Sequence, residues 1–372
     1  MNFLIISHAA HHKIEGQYYA YAPYVREMNL WLKHVDQVEI VAPVSSVLDK
    51  TINLAYEHHN ILISEVPAFS LVNYKEKLLS LIKLPKILWT IFKAMKQADH
   101  IHLRCPGNIG LLGCMVQILF PKTPKTAKYA GNWDPKARQP WSYKLQKWLL
   151  SNTYLTRNMQ VLVYGKWPDQ SRNIKSFFTA SYFEHEKAPV TTIDYTQSIH
   201  FCFVGSLVKG KQPLKALEFV EKLQKKGKNA ILHIYGEGPE RKAIENQIQK
   251  RELEESVVLH GNQPKGKIKQ ALQDYHFLIL PSQSEGWPKV VAEAMFWGCI
   301  PMVTPISCLP WMLDYGKRGM LMDDNNLDET AERLIHLLKT PKQLEDMASR
   351  AVAWSRQYTL DKFEEELRKV LA

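Results

Sequence analysis

Residues 280–298 read Leu280-Pro281-Ser282-Gln283-Ser284-Glu285-Gly286-Trp287-Pro288-Lys289-Val290-Val291-Ala292-Glu293-Ala294-Met295-Phe296-Trp297-Gly298. The apolar run from Phe277 to Pro281 predicts a short buried strand. Pro288 suits the first turn of a helix, and Gly298 suits its left-handed close. Glu285 is therefore expected in the loop at the carboxyl end of a strand, with Glu293 inside the following helix. In an open α/β sheet, ligands lie outside the carboxyl ends of the strands, where exposed helix N-terminal amides favour anions. A carboxylate in such a place needs a hydroxylated partner to offset its repulsion from phosphate, and sugar or ribose hydroxyls would serve.

Two earlier segments have the same strand-to-helix placement. Phe203-Val204-Gly205-Ser206-Leu207-Val208-Lys209-Gly210-Lys211 puts glycine and lysine between a strand and the helical stretch 214–225. Tyr235-Gly236-Glu237-Gly238-Pro239 follows the next strand, its glycines permitting close backbone approach and its proline opening a helix. Three loops on one sheet edge, offering amides, an ammonium and two carboxylates, suit a nucleotide diphosphate with hydroxylated groups at each end.

Outward from these loops, short β-branched runs alternate with amphipathic stretches, which predicts parallel sheets covered by helices. Strands are expected at 2–7, 38–42, 61–65, 100–104, 125–130 and 161–164. A second series is expected at 199–204, 230–235, 256–260, 277–281, 300–303 and 320–322. Helices are expected at 24–33 and 145–155 among others. The chain of 372 residues suits two domains at about 150 residues each. The aperiodic stretch 183–198 is the expected linker. The expected division is residues 1–190, residues 191–355, and a terminal helix within 356–372 packing back on the N-terminal domain.

Hydrophobic residues make up 45% of the chain and charged residues 23%, which excludes a disordered chain. The net charge is +11 and it is uneven. Between Lys75 and Lys187 stand 19 basic side chains against 6 acidic ones, so an acidic partner is expected to meet the N-terminal half. Five cysteines without a CxxC pair argue against a disulfide framework or zinc site and fit a reducing compartment. The opening run Phe3-Leu4-Ile5-Ile6 lacks a basic flank and reads as a strand rather than a signal peptide. No run of about 18 apolar residues occurs, so a cytoplasmic protein is expected, peripheral on a membrane at most. The stretch 78–96, with a break expected at Pro85, joins bulky apolar residues to lysines. It could lie on an anionic leaflet or be core with snorkelling lysines. Nucleic acid is not an expected partner, because the aromatics do not interleave with a basic stripe.

The set of motifs resembles the retaining glycosyltransferases of family 4, with the GT-B fold of two Rossmann-like parallel-sheet domains facing across a cleft. The residues that carry the likeness are the E-x7-E pair Glu285 and Glu293 inside PSxxEG, the Gly205/Lys211 loop, Gly236-x-Gly238-Pro239, and the Gly298-x-x-Pro301 turn. The resemblance implies hexose transfer from a nucleotide sugar to a glycan or lipid-linked glycan, as in bacterial cell-surface polysaccharide synthesis, with retention and without metal or further cofactor. It implies that Glu285 contacts the donor sugar, that Glu293 holds the ribose hydroxyls and that Lys211 neutralises the leaving diphosphate. Gly205, Ser206, Lys209, Gly236, Gly238, Gly286, Trp287 and Pro288 would complete the donor site. Ser206 stands where the family usually has arginine, and Arg104 where it often has histidine, which leaves a catalytically silent nucleotide-sugar or glycan scaffold as the alternative.

On the N-terminal side, Gly16, Arg104, Asn132 and Asp134 are the candidate acceptor-binding residues. Arg104 ends a strand and would suit a phosphate, whereas Asn132 and Asp134 could equally form Asx turns. His8, His11 and His12 fall at loop spacing after the first strand. With no carboxylate or cysteine to complete a metal site, acceptor binding is the expected role. A nicotinamide dehydrogenase is disfavoured, since no GxGxxG follows a strand.

Overall fold

The computed structural model describes residues 1–45, 49, 52–69, 74–191 and 193–371, with the side chains of 74–81 outside that description. Two compact units emerge: Met1–Phe178 with Glu364–Ala372, and Thr179–Phe363.

The first unit contains strands β1 (Asn2–Ile6), β2 (His11–Ile14) and β3 (Gln17–Tyr21), helix α1 (Ala22–Leu32), and strands β4 (Gln37–Ala42), β5 (Asn53–Ala55) and β6 (Ile61–Glu65). Helix α2 (Tyr74–Gln97), β7 (His100–Cys105), α3 (Asn108–Val116), β8 (Lys125–Tyr129), α4 (Trp141–Ser151), β9 (Met159–Tyr164) and β10 (Ile174–Phe177) follow. Seven strands form a parallel sheet in the order β10-β9-β8-β7-β1-β4-β6. The short strands β2, β3 and β5 form a separate antiparallel sheet.

Strand alternation sends successive side chains to opposite faces of the parallel sheet. Leu4, Ile6, Ile101, Leu103, Val161 and Val163 share one core with Ile87 and Ile91 of α2, Leu111 and Leu112 of α3, and Leu149 and Leu150 of α4. On the other face Phe3 stacks on His100, His102 and Trp31 of α1. Right-handed crossovers explain this sorting: β6 through β9 step along the sheet in one direction and β1 to β4 in the other. Helix α2 runs through Pro85 without the expected break. Pro85 lies on the exposed side, where the carbonyl that loses its amide partner can be hydrated. The side chains of 78–81 lie outside the described residues.

The second unit repeats the plan with β11 (Ile199–Val204), α5 (Pro213–Lys225), β12 (Ala230–Tyr235), α6 (Arg241–Lys250), β13 (Val257–Gly261), α7 (Lys265–Asp274) and β14 (Phe277–Leu280). Then come α8 (Lys289–Trp297), β15 (Ile300–Val303), α9 (Leu309–Met312), β16 (Met320–Leu321), α10 (Leu327–Leu338), α11 (Pro341–Ser355) and α12 (Leu360–Leu371). Its parallel sheet has the order β13-β12-β11-β14-β15-β16. Three imidazoles cross one face: His200 Nδ1 lies 3.0 Å from His233 Nε2, and His233 Nδ1 lies 3.1 Å from His260 Nε2. Burial pushes His233 down to about 4, helped by its two neighbours, and burial lowers His200 and His260 as well.

The division falls at Phe178/Thr179 rather than at 190/191. The described residues of the stretch expected to be a linker belong to the second unit, mostly exposed but held at several points. Tyr195 is buried beside His276 and Phe277, Arg356 Nη2 donates to Ala188 O (2.6 Å), and Val190 packs against Gly298. A segment without a helical or strand period can still be held by side-chain contacts, and periodicity is blind to that. The terminal helix α12 begins at Leu360, and from Glu364 onward it is part of the first unit.

Candidate active site

All three sequence-selected loops lie at the carboxyl ends of β11, β12 and β14, and backbone hydrogen bonds join them. Gly205 N donates to Tyr235 O (3.0 Å), Leu207 N to Glu237 O (2.9 Å), Glu240 N to Leu207 O (2.9 Å), and Gln283 N to Gly210 O (2.9 Å). This junction demands glycine twice. A Cβ on Gly236, at φ +140°, would lie 2.0 Å from Gly205 O, and one on Gly238 would lie 2.4 Å from Leu207 O. Ser206 and Lys209 are exposed on the first loop, with Lys209–Lys211 forming a single 3₁₀ turn before α5.

Lys211 and Glu285 meet: the Lys211 ammonium is paired with the Glu285 carboxylate. Glu285 is buried, and its amide donates to Ser307 Oγ (3.2 Å) in the loop after β15. Cys308 Sγ donates to Gly286 O (3.1 Å). Burial, with the nearby Glu285 carboxylate adding to it, pushes the Cys308 thiol up to about 12, so this cysteine is a hydrogen-bonding wall and not a nucleophile. Neither Ser307 nor Cys308 was among the sequence candidates, for nothing in their local sequence marks them as supports of a loop 22 residues earlier.

Trp287 and Pro288 are buried at the start of α8. Trp287 stacks on Trp354 of α11 (ring centroids 6.2 Å apart, 24° between planes) and meets Tyr358 edge-on at 5.8 Å. The loop that carries Glu285 and Gly286 is therefore anchored on an aromatic cluster. Glu293 lies one helical stretch further on and accepts a hydrogen bond from Ser181 Oγ. It does not touch Glu285 or Lys211 in any hydrogen bond or ion pair among the described residues.

The first unit places its candidates differently. Gly16 is at the tip of the β2–β3 hairpin. Arg104 is buried in β7, ion-paired with Glu27 of α1 (2.5 Å) and stacked over Tyr24 (5.1 Å). Asn132 Oδ1 accepts from Asp134 N (2.9 Å) and Asp134 Oδ1 from Lys136 N (2.8 Å), two Asx turns in succession. His11 is tied to Ala9 O (2.9 Å) and to the Tyr56 hydroxyl (2.8 Å), and His12 to Ser45 O (2.9 Å). No cluster of three metal-ligating side chains occurs among the described residues. Glu27 escaped the sequence reading, although an acidic residue on the apolar side of a helix was the available signal.

Residues 186–354 match the family described as glycosyl transferases group 1. An uncharacterized glycosyltransferase of Haemophilus influenzae is 29% identical over 171 residues, 45% of this chain and 47% of that protein. The putative colanic acid biosynthesis glycosyltransferase WcaL of Salmonella typhimurium is 30% identical over 156 residues, 40% of this chain and 38% of its own. The chain thus spans less than half the length of these curated relatives. Among solved structures, Anabaena HepE in complex with UDP and glucose is similar with a TM-score of 0.69 at 14% identity, covering 100% of this chain and 99% of that one. The lipopolysaccharide outer core galactosyltransferase WaaB gives 0.68 at 13%, covering 100% and 99%. The fold is GT-B, built of two Rossmann-like parallel-sheet units.

Proposed function

We propose, for a chain whose residues 186–354 match the glycosyl transferases group 1 family, that it moves a hexose from a nucleotide sugar to a glycan or lipid-linked glycan acceptor. The reaction proposed retains anomeric configuration, uses no metal ion and belongs to bacterial cell-surface polysaccharide synthesis on the cytoplasmic side. Relatives named for colanic acid biosynthesis, and a neighbour holding UDP and glucose, support this reading.

The observation that carries it is the Lys211–Glu285 pair at the joined loops after β11 and β14. A transfer of this kind needs charge stabilised on the departing diphosphate and a hydrogen-bond acceptor for the sugar hydroxyls. Lys211, with exposed Lys209 beside it, supplies the cation. Glu285 supplies the acceptor. In the step proposed, the bond from sugar C1 to the phosphate oxygen breaks, and the acceptor oxygen bonds C1 from the same face. The acceptor's proton passes to the leaving phosphate oxygen.

The test is nucleotide release from a panel of UDP-, GDP-, ADP- and CMP-sugars, with and without glycan acceptors, followed by NMR of the product's anomeric proton. Release with one nucleotide family and an unchanged anomeric configuration is expected. Binding of a nucleotide sugar without release under any condition would make the protein a scaffold instead.

A further inference from the structure

Helices α2, α3 and α4 lie on one face of the first unit's sheet and share one core. Their outward side is unusual for a water-facing layer. Ile82 and Trp89 of α2 are 76% and 66% exposed, Leu119 just after α3 is 65% exposed, and Trp141 and Trp148 of α4 are 63% and 55% exposed. On α2 the inward residues are Ile87, Ile91, Ala94 and Met95, so Trp89 belongs to the opposite stripe. Trp89 stacks on Phe92, which meets Phe120, so the apolar surface of α2 continues into the segment after α3.

The same stripes carry lysine. Lys86, Lys93 and Lys96 are exposed on α2 with Trp89, and exposed Lys144 stands between Trp141 and Trp148 on α4. From residue 82 to the end of α2, and throughout α3 and α4, there is no aspartate or glutamate. Two features therefore coincide on one face: bulky amphipathic rings left in the open, and a cationic field with no acidic residue from residue 82 to the end of α2 or in α3 and α4. An acidic protein surface would match the charge alone, and an apolar partner would match the rings alone. A bilayer with anionic headgroups matches both, because tryptophan favours the headgroup level and lysine stems extend along apolar surface to reach phosphate.

We infer that the α2–α3–α4 face of the first unit docks on the surface of an anionic lipid bilayer, with Trp89 and Trp148 inserted at headgroup depth. None of the described helices is long and apolar enough to cross a membrane, so the docking is interfacial. The inference uses no residue of the donor loops, and its failure leaves the transfer reaction untouched.

The experiment is co-flotation of the full chain with vesicles of phosphatidylglycerol in phosphatidylcholine and with phosphatidylcholine alone, paired with tryptophan quenching by bromine-labelled lipid. Partition into the anionic vesicles is expected, weakening with salt. Each lysine near the surface is expected to contribute about fivefold. The double variant Lys86→Glu, Lys93→Glu should lose at least about tenfold in partition, and Trp89→Ser with Trp148→Ser should lose both partition and quenching. These side chains are exposed, so the variants are expected to keep their melting temperature, which is measured alongside. Absence of partition by the folded protein, or partition that both variants retain, overturns the proposal. Retention on soluble polyphosphate without vesicle binding also overturns it, and marks a soluble polyanion as the occupant.

Discussion

Lys211 and Glu285, 74 residues apart in the chain, form an ion pair in which the carboxylate is almost enclosed and the ammonium keeps about a quarter of its surface in water. The asymmetry assigns the two groups different liabilities. Removing the lysine leaves a buried carboxylate uncompensated, whereas neutralising the carboxylate leaves a cation that water can still reach.

Glu285→Gln is therefore expected to lower transfer by about 10²–10³-fold while leaving thermal unfolding nearly unchanged. Lys211→Ala is expected to raise the donor KM, lower kcat and reduce stability together. Steady-state kinetics with whichever nucleotide sugar the panel selects, set beside calorimetry, separates the two. Full activity in a folded Glu285→Gln protein would remove this pair from the reaction.

Gly236→Ala forces a methyl group into Gly205 O, at a positive φ that alanine resists. The junction of the β11 and β12 loops should open, costing about 1–3 kcal/mol of stability and most of the donor affinity. Gly210→Ala meets nothing within 4 Å and should be neutral, which makes it the control in a nucleotide-binding titration.

Acid should weaken the fold from about pH 6.5 downward. His233, His11 and His100 are each held down to about 4, burial being the largest cause in all three. Below their ordinary value of 6.5 the unfolded chain takes up protons that the native state refuses. Stability present above that pH is then lost as it falls toward about 4. The melting temperature should drop by several degrees over this window, and His233→Gln should flatten the slope without abolishing it.

The pair of Arg104 and Glu27 gives a contrasting test in the first unit. Glu27→Gln leaves a buried guanidinium facing a neutral amide and should destabilise by about 3–5 kcal/mol in urea unfolding. Replacing both partners by methionine should recover most of that loss. If Arg104 also binds acceptor, the double variant will be stable yet impaired in acceptor KM, whereas an unchanged KM would mean the arginine serves the fold alone.

How far the sequence carried these conclusions differs between the units. The ends of β11, β12 and β15 were legible residue for residue, because apolar-rich runs there close on Gly205, Gly236 and Thr304. Strands β2 and β3 were not, because His11–Ile14 and Gln17–Tyr21 mix imidazoles, lysine and tyrosines, so polar and apolar positions blur. Strand β10, four residues with a central Lys-Ser, is too short to show alternation. In the candidate site, Gly205, Lys211, Gly236 and Glu285 could be read because they sit at strand-to-helix junctions, where loop chemistry is local. Ser307 and Ser181 could not, since each reaches its partner only after the chain has folded back.

Helix α12 starts in the second unit, and from Glu364 onward it belongs to the first. There Glu364 pairs with Lys33 (3.3 Å) and lies 3.3 Å from His34 Nε2, and Glu366 pairs with Lys175 (2.9 Å). During synthesis, then, residues 1–178 emerge early but wait for some 185 further residues before their last helical turns arrive. The N-terminal half should remain open to proteases on stalled ribosomes that lack this segment, and should become resistant only once it has cleared the exit tunnel.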